Sequence, residues 1–183
     1  MNNILVINAH EYYPFAKGQL NQTLFDEIVK KLSNKYDVKT TVIQDGYDVK
    51  SEQEKFKWAD VVVFQTPIYW FSVPGATKKY MDEVYEHGVF FGGPGEYGEG
   101  GLMTGTKYMF STTWNAPEDT YGNPDKFFKG KDLEEAIDHL HNTQKFIGME
   151  PLKSFGAHDV IKNPDIDKYL NDLRKHLNEV FGV

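Results

Sequence analysis

Three stretches of this 183-residue chain carry groups suited to holding a phosphorylated, planar ligand. Lys17-Gly18-Gln19-Leu20-Asn21-Gln22-Thr23 leads from a loop into apolar residues at helical spacing. Helix N-terminal amides, a glycine for close approach and polar side chains there suit a pyrophosphate, and an ordinary capped helix start fits the same residues equally well. Pro67-Ile68-Tyr69-Trp70-Phe71 sets three consecutive aromatics in a loop. They are hard to bury as core there and are good partners for a flat ring such as an isoalloxazine. Thr113-Trp114-Asn115-Ala116 offers backbone amides to the polar edge of that ring, the alternative being a tight turn with one buried tryptophan.

Other motifs carry less. Gly93-Pro94-Gly95-Glu96-Tyr97-Gly98 satisfies G-x-G-x-x-G, but it neither follows a first strand nor opens a helix, so it is not a dinucleotide fingerprint. His139 and His141 lie on one helical stretch, where rings two residues apart diverge, and no metal site is expected. His176 reads as a solvated helix residue, and His10 and His158 as structural or supporting groups near strand ends. No hydrolase arrangement is present.

These stretches need a scaffold, and the hydrophobic pattern supplies one. Ile4–Ile7, Val38–Ile43, Val61–Phe64 and Lys107–Thr112 read as strands, with a short fifth near Leu152–Phe155. Leu20 to Leu32, Thr77 to Val84, Leu133 to Leu140 and Ile166 to Val180 carry helical stripes. Ser51 and Glu54 form a capping-box signature for another helix bearing Phe56 and Trp58, and Asn163-Pro164 caps and starts the last. Alternating strands and helices predict an α/β fold, a flavodoxin-like doubly wound parallel sheet of five strands in the order 2-1-3-4-5 with helices on both faces. In such sheets ligands bind beyond the strand C-termini, where the three stretches fall. No repeat or linker interrupts residues 1–183, which read as a single domain.

Composition narrows the partners. Net charge is -7, so phosphate backbones and anionic membranes are repelled on average, and no nucleic-acid partner or stable membrane insertion is expected. Cysteine is absent, which removes disulfide, thiolate-metal and cysteine-nucleophile chemistry. Together with the lack of a signal-like N-terminus this favours the cytoplasm.

Several motifs keep order and spacing with one family. They are Gly18-Gln19-Leu20-Asn21, Trp58-Ala59-Asp60-Val61-Val62, Lys78-Lys79-Tyr80, Tyr97-Gly98 with Gly100-Gly101-Leu102, Thr113 to Pro117, Gly148 to Leu152 and Asp159 to Lys162. Over nearly its full length the chain resembles the modulator of drug activity B group of the NAD(P)H:quinone oxidoreductase family. The resemblance implies a homodimer with tightly bound FAD, reduced by NAD(P)H and oxidised by quinones. It implies that Ala16 to Thr23 hold the FAD phosphates, that Pro67, Ile68, Tyr69 and Trp70 line the isoalloxazine, and that Tyr97 and Thr113 to Ala116 complete the site. Two positions depart from the family: Ala16 stands where relatives often have serine, and Ile68 where they have glycine. Flavin chemistry requires no obligatory side-chain acid or base, so no catalytic residue is assigned. The alternatives are an azo- or nitroreductase, an accessory subunit of a potassium-efflux system, and a one-electron carrier.

Overall fold

The computed structural model describes residues 1–183. In chain order the elements are β1 (Asn3–Asn8), α1 (Gln19–Leu32), β2 (Asp37–Val42), α2 (Val49–Trp58), β3 (Val61–Pro67), α3 (Gly75–Val84) and β4 (Lys107–Thr113). After these come α4 (Leu133–Ala136), α5 (Asp138–Phe146), β5 (Glu150–Pro151), β6 (Phe155–Ala157) and α6 (Ile166–Phe181). All strand pairings are parallel, in the order β2-β1-β3-β4-β5, with β6 also beside β4. This is the flavodoxin-like order expected from the sequence.

The two faces of the sheet separate by residue parity, as the strand period of two demands. Ile4 and Val6 of β1, Val61 and Val63 of β3 and Met109 of β4 pack under α1 and α6 with Leu24, Ile28, Leu173 and Leu177. Leu5, Ile7, Val62, Phe64, Tyr108 and Phe110 face the other way, against Phe56, Tyr80, Met81 and Leu140 from α2, α3 and α5. Both faces of β1 and β3 are buried, so these strands read as continuous apolar runs. Proline ends β3 because it has no amide for the ladder.

Five local expectations are corrected. The cap of α2 is Asp48, whose carboxylate accepts from the Ser51 amide and hydroxyl at 2.8 Å, so Ser51 lies inside the helix. The cap of α6 is Asp165, bonded to the Lys168 amide, and not Asn163. The helix expected over Leu133 to Leu140 breaks at Ile137, and Asp132 and Glu135 form a capping box on its first piece. The fifth strand is split because Glu134 takes the Ser154 amide at 2.6 Å and the Ser154 hydroxyl at 2.7 Å, where a continuous strand would make ladder bonds. His176 is buried rather than solvated; its Nε2 lies 2.9 Å from the Lys153 carbonyl, and burial lowers its pKa.

Candidate functional site

The loops after β1, β3 and β4 all open at the C-terminal edge of the sheet. The first forms a cavity of about 470 Å³ lined by Asn8, His10, Lys17, Gly18, Gln19, Gln22, Thr23, Val42, Gln44 and Asp45. Gly18 precedes α1 with φ 74°, in the left-handed region. A β-carbon there would lie 2.5 Å from His10 Cε1, so only glycine lets the chain pass this ring. No side chain caps α1 and its first turn holds no acidic residue. Its leading amides and partial positive charge are left for an anion, with Lys17 beside them. Of the residues expected here, Lys17, Gly18, Gln19, Gln22 and Thr23 line the cavity, whereas Leu20 packs against the α1/α6 core. Ala16 closes a small turn with Tyr13 through reciprocal amide bonds of 3.1 and 2.9 Å. Asn21 is buried, and its side chain is spent inside the protein on Asn8 and Gln65.

The second loop is a tight hairpin. Tyr69 and Ser72 exchange backbone hydrogen bonds of 2.8 and 3.1 Å, and the central residues Trp70 and Phe71 have φ of 51° and 65°. Positive φ at both central positions is the geometry that Asn-Gly ordinarily supplies. Two bulky aromatics held there cost of order 1–2 kcal/mol each, the kind of local strain that concentrates at functional sites. Trp70 is 94% exposed, which removes it from the core. Tyr69 is part-buried, with its hydroxyl 3.4 Å from His10 Nε2 and its ring edge-on to Tyr13. Phe71 stacks on Phe127 at 5.4 Å, an association with the 118–131 segment that no spacing in the sequence signals. Pro67 is buried at the end of β3, and Ile68 donates its amide to the Thr113 carbonyl at 3.0 Å.

The third loop divides between structure and exposed backbone. Thr113 and Trp114 are buried. The Trp114 amide donates to Ala157 at 2.8 Å and its indole Nε1 to Thr112 Oγ1 at 2.8 Å. Trp114 is therefore the buried tryptophan of a tight turn, with neither ring nor amide free for a ligand. The amides of Asn115 and Ala116 make no bond within the chain, and Asn115 is exposed. Glu11, missed in the sequence, ties this edge together: one carboxylate oxygen accepts from Tyr13 Oη and from the Ala76 amide, both at 2.8 Å, and so caps α3 from the β1 loop.

Tyr97 is not brought to these loops within one chain. It is 97% exposed and lines a separate cavity with Met81, Tyr85, Phe91 and Phe146, between α3 and α5. His139 lines that same cavity, while His141 turns inward to Tyr108 Oη and Glu134, each at 2.8 Å. Their divergence follows from their spacing on the helix.

Comparison with known proteins agrees with this architecture. The Flavodoxin_2 family, a flavodoxin-like fold, matches residues 2–177. NADPH:quinone oxidoreductase MdaB of Haemophilus influenzae is 39% identical over 98% of this chain and 100% of its own length. A putative quinone reductase from Klebsiella pneumoniae superposes with TM-score 0.80 at 21% identity, covering 97% of this chain and 84% of that one. General stress protein 14 of Treponema denticola, solved in complex with FMN, superposes with TM-score 0.73 at 20% identity over 98% and 99% of the two chains. The two solved structures show likeness of fold alone.

Proposed function

The chain belongs to the MdaB-like, flavodoxin-like family, and from that premise we propose that it is an NAD(P)H:quinone oxidoreductase with FAD as its resident cofactor. Bound flavin supplies the redox chemistry, taking hydride from NAD(P)H and giving it to a quinone. The observation that carries the reading is the convergence, on one sheet edge, of an uncapped helix start, a strained aromatic hairpin and two unpaired amides.

Each part has a task. The first turn of α1, with Gly18, Gln19, Gln22, Thr23 and Lys17, holds the phosphates, and Ala16 sets the approach to that turn. Leu20 and Asn21 fasten the turn to the protein from beneath. Pro67, Ile68 and Tyr69 would line the ring when it is bound, and the exposed Trp70 would stack on it. Thr113 and Trp114 hold the fourth-strand loop so that the amides of Asn115 and Ala116 donate to the polar edge of the ring, a preorganised electrostatic contribution. The single-chain position of Tyr97 leads us to assign it to the site of a second protomer in a homodimer. Residues 1–183 act as one flavin-binding domain, working in the cytoplasm. NAD(P)H and quinone take one position in turn, which is a ping-pong sequence.

We favour FAD over FMN because the cavity extends past the helix start to Val42, Gln44 and Asp45, the direction in which the longer cofactor would continue. The FMN-bound structure of the Treponema denticola protein supports the shorter cofactor as a second reading. Heat release of cofactor from purified protein and chromatography against both flavins decides between them. Recovery of FAD, with NAD(P)H-dependent turnover of a simple quinone, is expected. Stoichiometric FMN would replace the assignment, and protein that takes up neither flavin would overturn it.

A further inference from the structure

The α1-facing side of the sheet changes character at the rung where β1 ends. Ile4 and Val6 in β1, Val61 and Val63 in β3 and Met109 in β4 are apolar, and the next residues on that face are Asn8, Gln65 and Ser111. These three are register partners across the central strands, Asn8 opposite Gln65 and Gln65 opposite Ser111. Gln65 and Ser111 are 0% exposed and Asn8 3%. Buried polar groups in the middle of a parallel sheet are costly unless paired, and here every link is made. Ser111 Oγ donates to Gln65 Oε1 at 2.6 Å, and Gln65 Nε2 donates to Asn21 Oδ1 at 3.0 Å. Asn21 Nδ2 donates to Asn8 Oδ1 at 2.7 Å, and Asn8 Nδ2 donates to Gln22 Oε1 at 2.7 Å. The chain of bonds begins in β4 and ends on the wall of the proposed phosphate cavity.

We propose that Gln65 is a positioning residue for the flavin: through Asn21 and Asn8 it fixes the first turn of α1 and the side chain of Gln22. The proposal rests on the flavin reading above. A leucine or valine would satisfy the packing of β3, as at Val61 and Val63, but would leave the start of α1 without the side-chain bond from β3 to Asn21. Side-chain hydrogen bonds are directional and define one register of the helix start against the sheet. That turn carries no cap of its own, so its placement depends on this contact from below.

The test compares wild type, Gln65→Met, Gln22→Ala and the double variant, each as the full chain stripped of flavin and titrated with FAD and FMN. Apo-protein melting and exchange of the first hydrogen-bonded amides of α1, Gln22 to Phe25, are measured alongside. Gln65→Met should weaken flavin binding by about ten-fold, the effect of one or two unmade buried hydrogen bonds. It should also speed exchange of the Gln22 to Phe25 amides of α1 more than that of the amides in α6. The double variant should bind little worse than the weaker single, because both substitutions cut one line of contacts. If Gln65→Met is insoluble, Gln65→Leu replaces it, shorter and without donor or acceptor; the same weakening is expected. A lowered melting temperature with unchanged flavin affinity, or strictly additive effects, would overturn the positioning role. Wild-type protein that takes up neither flavin would overturn the flavin reading and this role together, whereas normal wild-type binding with no change in either Gln65 variant overturns the role alone.

Discussion

Gly18 and His10 are in direct apposition: a β-carbon on Gly18 would lie 2.5 Å from Cε1 and 2.6 Å from Nδ1 of the imidazole. His10 is buried just after β1 and lines the cavity at the start of α1. Gly18→Ala should therefore suffer twice. Left-handed φ costs an alanine roughly 1–2 kcal/mol, and the ring must also move. Melting of the double variant Gly18→Ala/His10→Ala separates the two costs. Its loss of stability should be smaller than the sum of the single losses, because removing the ring removes the collision. Simple additivity would show that the ring yields freely.

Trp70 offers a cleaner separation of stability from binding. Its side chain is 94% exposed and its φ is 51°. Trp70→Gly relieves a left-handed residue and removes no core contact, so the apo-protein should gain about 1 kcal/mol of stability. Flavin affinity should fall by roughly five-fold to about a hundred-fold, from the loss of about 1–3 kcal/mol of aromatic stacking. Titration and melting on the same sample test both halves. A variant that melts lower and binds flavin normally would mean that the hairpin serves the fold and not the ligand.

Trp114 should behave in the opposite way. It is 3% exposed, bonded to Thr112 through Nε1, and edge-on to Tyr121 and Phe128. Truncation to alanine is expected to cost about 3–5 kcal/mol of folding stability, the usual range for a buried large aromatic. In the surviving folded fraction flavin binding should fall less than in Trp70→Gly, because the backbone bond from the Trp114 amide to Ala157 that holds the loop is kept. Denaturant unfolding of Trp114→Ala beside Trp70→Gly would expose a reversal of these roles.

The readable parts of the molecule were those where one local pattern decides the outcome. Val61 to Phe64 is buried on both faces, so an unbroken β-branched run could only be a central strand. The three loops at the sheet edge were legible for the converse reason, since glycine, proline and clustered aromatics cannot continue such a run. What escaped depends on partners far along the chain. Glu134 splits the fifth strand by bonding Ser154, and nothing near Leu152 announces it. His176 is buried because α6 lays it against Phe155 and the Lys153 carbonyl, not because of its charged neighbours in sequence. Trp70-Phe71 carries no Asn or Gly to mark a turn with positive φ. The polar rung of Asn8, Gln65 and Ser111 escaped as well, because only the register of the three strands aligns them.

Kinetic order tests the shared-position mechanism. If nicotinamide and quinone occupy the same space above one ring, they cannot be bound together. Double-reciprocal plots at several fixed quinone concentrations should then be parallel. Intersecting lines would require a ternary complex and a second binding position, which would send the search to the cavity around Tyr97.

The last prediction concerns acid stability. Burial lowers the pKa of His10, His158 and His176 from the ordinary value of 6.5. For His176 the Lys153 charge acts in the same direction, against the carbonyl bond to Lys153 and the charges of Glu179 and Glu134. In the folded protein these rings stay neutral at a pH where the unfolded chain has already taken up protons. The unfolded state then binds more protons, and linkage makes stability rise with pH. The histidine contribution should be complete above about pH 6.5, the unfolded histidine value, and decline as pH falls below it. The lowered carboxyl groups of Glu27 and Glu134 act in a more acidic window, below their ordinary 4.5, so they do not confuse this range. Melting temperatures measured from pH 8 to pH 5.5 should be level and then fall. His176→Gln keeps a donor for the Lys153 carbonyl but cannot titrate, so its curve should fall less steeply over the same interval. An equal slope in wild type and variant would mean that His176 protonates as easily folded as unfolded, and that its burial leaves a path for water.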